Sequence, residues 1–291
     1  MLRYLFTLII TTVIGGGIGF GLSFAQKSTW TATAQFEQPS ISTLGNYYTL
    51  FSTYSFLNGG DGVSYQVVKD EKGALVLAPE SGVKVEERVK TESYDVFKRT
   101  LRSPDVLTAF LAQTETVKLK AQLENKPTTI IAQNLAQQFV FQDIAKSQPF
   151  EQLSVTSENP EEANKLLSDF IAFATQQAKQ ALNAELIAKW KVLFQQIKNA
   201  AEIKLGATQQ GNQIAAQDWN GKLNLMRSVQ PLDDKLVPFK FVKSPSVPLT
   251  PSSPAQSLWI MIGALVGLLS GMVMVSMSGL FRKKVTNVAQ N

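Results

Sequence analysis

Two uncharged apolar runs, one near each end of the 291 residues, constrain the fold more than anything between them. Leu258 to Phe281 carries no charge and, at about two dozen residues, is long enough to cross a hydrocarbon core. Trp259 stands where an interfacial aromatic belongs, and Arg282, Lys283 and Lys284 close the run as a cytoplasmic anchor does. Inside it Gly263, Gly267 and Gly271 recur at every fourth position and fall on one helix face. Small residues at that spacing let a second helix approach closely in lipid. At the other end Tyr4 to Phe24 is also uncharged, with Gly15/Gly19 and Gly17/Gly21 each four apart. A cleaved signal peptide is the competing reading, because Arg3, an apolar run and Ser23-Phe24-Ala25 imitate its three regions. The run of roughly twenty residues exceeds the usual ~7–15 of such a segment, which favours a retained transmembrane helix.

The net charge of +5 invites a nucleic-acid reading until it is located. No Asp or Glu lies before Glu37 or after Leu258, while Arg3, Arg282, Lys283 and Lys284 sit at the tips. Setting those four aside leaves 24 of the 28 basic residues against 23 acidic ones. The excess is topological, and nucleic acid is not an expected partner. The positive tips orient the chain in–out–in, with an extracytoplasmic domain from Ala25 to Ser257. Cys and His are both absent. Disulfides, thiol nucleophiles, Ser-His or Cys-His pairs and the usual zinc ligand sets are thereby excluded.

Between the runs the chain alternates strand and helix signals. Trp30 to Phe36 alternates and is rich in Thr and aromatics, and Val237 to Lys243 reads as a second strand that pairs with it. Pro238 then belongs at a strand start or edge. Ser40 to Leu57 reads as a membrane-proximal aromatic helix, Asn58 to Gly62 as a loop, and Tyr65–Val68 with Leu75–Ala78 as a hairpin. Ser103-Pro104-Asp105 opens a helix to about Gln113, and helical pattern continues through Leu123 and from Pro127 to Gln138. Phe150 to Thr156 alternates as a strand. Asn159-Pro160-Glu161-Glu162 then caps the longest element, whose apolar residues from Leu167 to Leu205 recur at helical spacing. At about 1.5 Å per residue it reaches roughly 70 Å, too long to be buried in one compact domain, so it must project or pack against copies of itself. Gly206, Gly211 and Gly221 interrupt a continuation to Ser228. Finally Pro245, Pro248, Pro251 and Pro254, one in every three residues, favour an extended polyproline-II spacer before the second span.

Read in order, Trp30–Pro39 directly after the first span, the Asn159–Glu162 cap, and the Phe-Lys-Phe strand, proline spacer and glycine-spaced span resemble the polysaccharide co-polymerases of the Wzz type. These are the chain-length determinants of bacterial surface polysaccharides such as O-antigen. The resemblance covers nearly the whole chain. It implies a non-enzymatic inner-membrane protein that forms a homo-oligomeric ring and sets the length of a lipid-linked polysaccharide built by a partner glycan polymerase. The short stretch after Arg282 has no room for the tyrosine-kinase domain of the capsule-type members, and no phosphate-loop motif is present. Members of the family usually carry a cytoplasmic stretch before the first span, whereas this span begins almost at Met1.

The expected fold is α+β: two transmembrane helices flanking a periplasmic domain with a mixed α/β base and a long projecting helix. Span one is 1–24, the periplasmic domain 25–257 (base 25–100 and 229–257, helical wall 101–228), span two 258–281 and the cytoplasmic tail 282–291. The candidate functional residues are the spacer prolines and the packing glycines Gly15, Gly19, Gly263, Gly267 and Gly271; no cofactor or metal is expected. Two other function classes stand beside the regulator. A periplasmic sensor or adaptor lacks a cytoplasmic output domain at either tip and needs a separate cytosolic partner. An enzyme has only carboxylates, Lys, Tyr or Ser to work with. Its adjacent pairs Asp233-Asp234 and Glu86-Glu87 read as solvated turn residues whose side chains diverge.

Overall fold

The computed structural model describes residues 2–59, 65–69, 75–79, 84–146, 148–203, 205, 218–253 and 255–288. It is an α+β fold of two compact units. One comprises residues 1–33, 154–166 and 245–291; the other comprises 34–153 and 167–244.

In the first unit α1 (Leu2–Ser23) packs against α9 (Gln256–Val288). Both are apolar around most of their circumference, and Phe6, Val13, Ile18, Leu265, Val266 and Val273 are exposed. A helix that is apolar all round has no face to offer to water. Its uncharged stretches, Leu5–Ser23 and Ser257–Ser276, are 19 and 20 residues long, which at about 1.5 Å per residue matches a hydrocarbon core of about 30 Å. Beyond the helices a backbone bridge joins Thr29 to Ser253: the Thr29 N–H donates to the Ser253 carbonyl at 2.9 Å and the Ser252 N–H to that of Thr29 at 2.7 Å.

A four-stranded sheet has the order β4–β5–β1–β6, made of Phe139–Gln142, Glu151–Ser157, Trp30–Glu37 and Lys240–Lys243. β1 and β6 pair antiparallel, with Phe36 opposite Phe241 and Glu37 opposite Lys240, so the two strands expected to meet do so. β6 is shorter than the expected Val237–Lys243 and lies at the sheet edge. Pro238 therefore stands just ahead of the edge strand, where its missing donor costs no ladder bond. The pairing is reinforced by aromatics. Phe97 stacks on Phe239 at 4.3 Å between ring centroids, and Phe36 meets both edge-on at 5.5 and 5.4 Å. Such pairs contribute about 0.5–1.5 kcal/mol beyond the area they bury.

The expected single helix over Ser40–Leu57 is broken. A 3-10 turn, Ile41–Leu44, is followed by Gly45 at φ +55° and then by α2 (Asn46–Leu57). The hairpin is present as β2 (Tyr65–Lys69) and β3 (Leu75–Pro79), paired antiparallel; Gly60 to Gly62 of the expected loop lie outside the described residues. An element absent from the sequence reading follows, α3 (Val85–Arg102), which buries Val89, Phe97 and Leu101. Three short helices come next: α4 (Pro104–Gln113), α5 (Glu115–Glu124) and α6 (Thr128–Ala136). The Ser103 and Thr114 hydroxyls accept the N–H groups of Val106 and Val117, each at 3.4 Å, and so cap α4 and α5.

α7 runs from Pro160 to Glu202, and Asn159 Oδ1 caps it by accepting the Glu161 and Glu162 N–H groups at 2.8 and 3.2 Å. At about 1.5 Å per residue it is ~65 Å long. The chain itself covers one stripe of it through Leu167, Phe170, Ala174, Ala178, Leu182 and Leu186 to Ala200. Farther along, Leu193 and Ile197 are enclosed by Leu57 of α2 and Met226 of α8 (Trp219–Ser228), with Trp190 and Trp219 packed around them. A helix of this length is therefore sided by its own chain, not left only to project or to meet copies. Gly206 and Gly211 lie outside the described residues. Gly221 does not interrupt a helix but sits in the first turn of α8, where its N–H donates to Asp218 Oδ1 at 2.8 Å.

Candidate functional site

The contact between α1 and α9 is made by backbone. A Cβ placed on Gly15 would lie 2.8 Å from the Gly267 Cα, and one on Gly263 would lie 3.0 Å from the Gly19 Cα. One on Gly267 would lie 3.1 Å from the Gly15 Cα, and one on Gly19 would lie 3.2 Å from that of Gly263. Gly271 faces Thr11, whose hydroxyl donates to the carbonyls of Thr7 and Leu8 at 3.0 and 3.1 Å. At Gly15, Gly19, Gly263 and Gly267 no side chain larger than hydrogen fits without moving a helix, whereas at Gly271 the Thr11 side chain would have to give. The structure thus brings together Gly15, Gly19, Gly263, Gly267 and Gly271, whereas Gly17 and Gly21 have open space around them.

The proline spacer is not part of that contact. Residues 244–252 adopt neither helix nor strand; Pro245 and Pro248 are half-buried, Pro251 is exposed, and Pro254 lies outside the described residues. Leu249 beside them is 96% exposed.

The two adjacent acid pairs have structural partners. Asp233 Oδ1 accepts the N–H groups of Asn46 and Lys235 at 3.3 and 3.2 Å, holding the start of α2. Asp234 receives the buried Lys179 ammonium at 3.0 Å on its carboxylate and 2.7 Å on its carbonyl. Glu86 and Glu87 are not turn residues. They occupy the first turn of α3, where acids complement the helix dipole, and both reach Lys90, at 3.4 and 2.6 Å.

A second concave feature lies between α2, α3 and α7 in the larger unit, with a volume of about 610 Å³. Its wall mixes apolar side chains with an unusual density of charge. Tyr47 shares the cleft with Glu92 and Glu185; burial first, and then those two negative charges, push its phenol well above the ordinary tyrosine value. Lys189 pairs with Glu185 at 2.7 Å, and that hydrogen bond raises the ammonium despite partial burial. Lys98 lies between Asp95 at 3.1 Å and the buried Glu151 at 3.2 Å; burial pulls its ammonium down, but the two carboxylates more than offset that and leave it raised. Arg102 pairs with Asp143 and lies 4.3 Å above the Phe141 ring. Sequence reasoning missed this cleft, because its residues come from three helices and none forms a local motif. Among the described residues no group of three His, Cys, Asp or Glu side chains could hold a metal.

No protein-family model matches the chain. It is 35% identical over 116 residues to an uncharacterised protein of Haemophilus influenzae, a match covering 40% of this chain and 96% of that one. It is 27% identical over 199 residues to the ECA polysaccharide chain length modulation protein of Escherichia coli K12, covering 66% of this chain and 51% of the relative. The chain thus spans about half the length of the named curated relatives it matches. Among solved structures, a full-length bacterial polysaccharide co-polymerase superposes with a TM-score of 0.58 at 13% identity, over 97% of both chains. In sequence the chain is thus similar to chain length modulation proteins, and in fold to a polysaccharide co-polymerase.

Proposed function

We propose that the protein regulates the chain length of a bacterial surface polysaccharide, as an oligomeric inner-membrane scaffold acting on a separate glycan polymerase. The observation that carries this reading is the sequence relationship to chain length modulation proteins, which extends over 66% of the chain. The apolar pair α1 and α9 supports a membrane location, and its glycines supply the surface on which the two spans close. In this reading the bulk of residues 25–257 faces the periplasm and both tips face the cytoplasm. Residues 25–100 and 229–257 form a membrane-proximal base, and 101–228 form the wall of a ring of identical chains. The spacer from Pro245 to Pro254 couples that domain to the second span. The protein performs no bond-making step. It acts by geometry on a polymerase and on the lipid-linked polysaccharide that the polymerase extends.

Deletion of the gene tests this directly. Polymer should still be made, but its length distribution, read as an electrophoretic ladder, should broaden and lose its modal length. An unchanged ladder, or complete loss of polymer, rules the regulator out.

A further inference from the structure

We propose that the cleft between α2, α3 and α7 binds an acidic saccharide unit, with the Arg99 guanidinium receiving its carboxylate. The volume of about 610 Å³ lies within the range of about 300–1,000 Å³ typical of small-molecule sites. Its charges decide what it can hold. Lys98, Lys189 and Arg102 are each matched by a carboxylate of the chain itself. Arg99, exposed on the same wall, has no acidic partner among the described residues. One positive charge is therefore unmatched, and a planar guanidinium is the group best suited to take a carboxylate through two parallel hydrogen bonds.

The rest of the lining argues against a dianion. Lys98, Arg99, Arg102 and Lys189 share the cleft with Glu92, Asp95 and Glu185, so it neutralises a single negative charge, which a carboxylate brings and a dianionic phosphate exceeds. Those carboxylates want donors, and the matched cations want acceptors. Hydroxyl groups supply both at every position, as no aliphatic ligand does. Phe51 and Tyr47 add an apolar flank against which the C–H face of a sugar ring can lie. A polyhydroxylated ring bearing one carboxylate satisfies the whole set. The length-regulator reading enters only as the source of such a unit, a stretch of the growing glycan; the chemistry of the cleft does not depend on it.

The full-length protein in detergent should be titrated with oligogalacturonate and, separately, with the neutral galactose oligomer of equal length. The acidic probe should bind at least about tenfold more tightly. Arg99→Gln should remove that preference while leaving the thermal midpoint unchanged, because the side chain is exposed and unpaired, and Arg99→Lys should restore part of it. Equal binding of the two probes, binding of neither, or an acid preference that survives Arg99→Gln overturns the assignment. If deletion broadens the ladder but the purified protein ignores both sugars, the cleft proposal falls and length regulation stands. Acid-selective binding lost in Arg99→Gln, with an unchanged deletion ladder, upholds the cleft and removes the regulator.

Discussion

At the scale of residues, polar groups in this chain are used mostly as fasteners. Lys179 is only 9% exposed, yet its ammonium is satisfied by Asp234, and Asp233 next door holds the N-terminus of α2. Two neighbouring carboxylates that could be mistaken for an acid–base pair thus serve different helices. The phenols of Tyr47 and Tyr94 are the groups whose titration the fold changes most visibly. Both are raised, Tyr47 by burial and two nearby carboxylates, Tyr94 by burial and then by its hydrogen bond with Glu151. A phenol raised in the folded state stabilises the fold fully below its unfolded value of about 10, and that contribution is lost as pH rises toward the folded value. Replacing both by Phe should therefore flatten the decline of stability between about pH 10 and 12, measured by urea unfolding at each pH. An identical decline in the double variant would show that other groups drive it. The Asn159 cap is legible in sequence because all its parts lie within four residues. Arg99 is not, since its significance depends on acids that lie elsewhere in the chain and fail to reach it.

At the scale of elements, α1 and α9 are the pair whose contact was written most plainly in advance, by glycines four apart. α3 was the opposite case. Its opening Val85-Glu86-Glu87-Arg88 and its many charges masked the apolar positions Val89, Tyr94, Phe97 and Leu101, whose spacing of three to five residues was the signal available. The absence of cysteine makes the α1–α9 contact easy to test. A Cβ on Gly16 would lie 3.8 Å from the Ala264 Cβ, inside the disulfide range of about 3.5–4.5 Å. The double variant Gly16→Cys, Ala264→Cys should therefore cross-link on mild oxidation. Gly17→Cys with Ala264→Cys should not, because Gly17 faces open space. Adding Gly267→Leu should suppress the Gly16–Ala264 bridge several-fold by forcing the helices apart, because even a Cβ there would lie 3.1 Å from the Gly15 Cα. Equal bridging with and without the leucine would mean that the helices are held by something other than their glycine faces.

At the scale of the whole molecule, the β1–β6 pair, the hairpin and most helices were readable from alternation, caps and prolines, because those signals are local; α3, β4 and the neighbours of β5 were not. Nor was the division into two units. Each unit is assembled from segments far apart in the chain, and no composition shift marks Thr33/Ala34 or Leu166/Leu167. Orientation across the bilayer is open to direct measurement. Reporter fusions at Ser228 should be active in the periplasm, and fusions at Val288 only in the cytoplasm, the outcome expected from the basic cluster at Arg282–Lys284. A mature protein whose N-terminal sequence begins at Gln26 would remove α1 and leave the α9 glycines without a partner.

The glycine contact also sets a timetable. Gly15 leaves the ribosome about 250 residues before Gly263. At about 5–20 residues per second, that separation lasts roughly 12 to 50 seconds. On the proposed two-span topology, α1 spends that interval in the bilayer with its one interlocking face turned to lipid. Its proper mate and the identical α9 of a chain synthesised alongside are then sterically indistinguishable to it. Which of them arrives first is a matter of translation order and local crowding on the membrane.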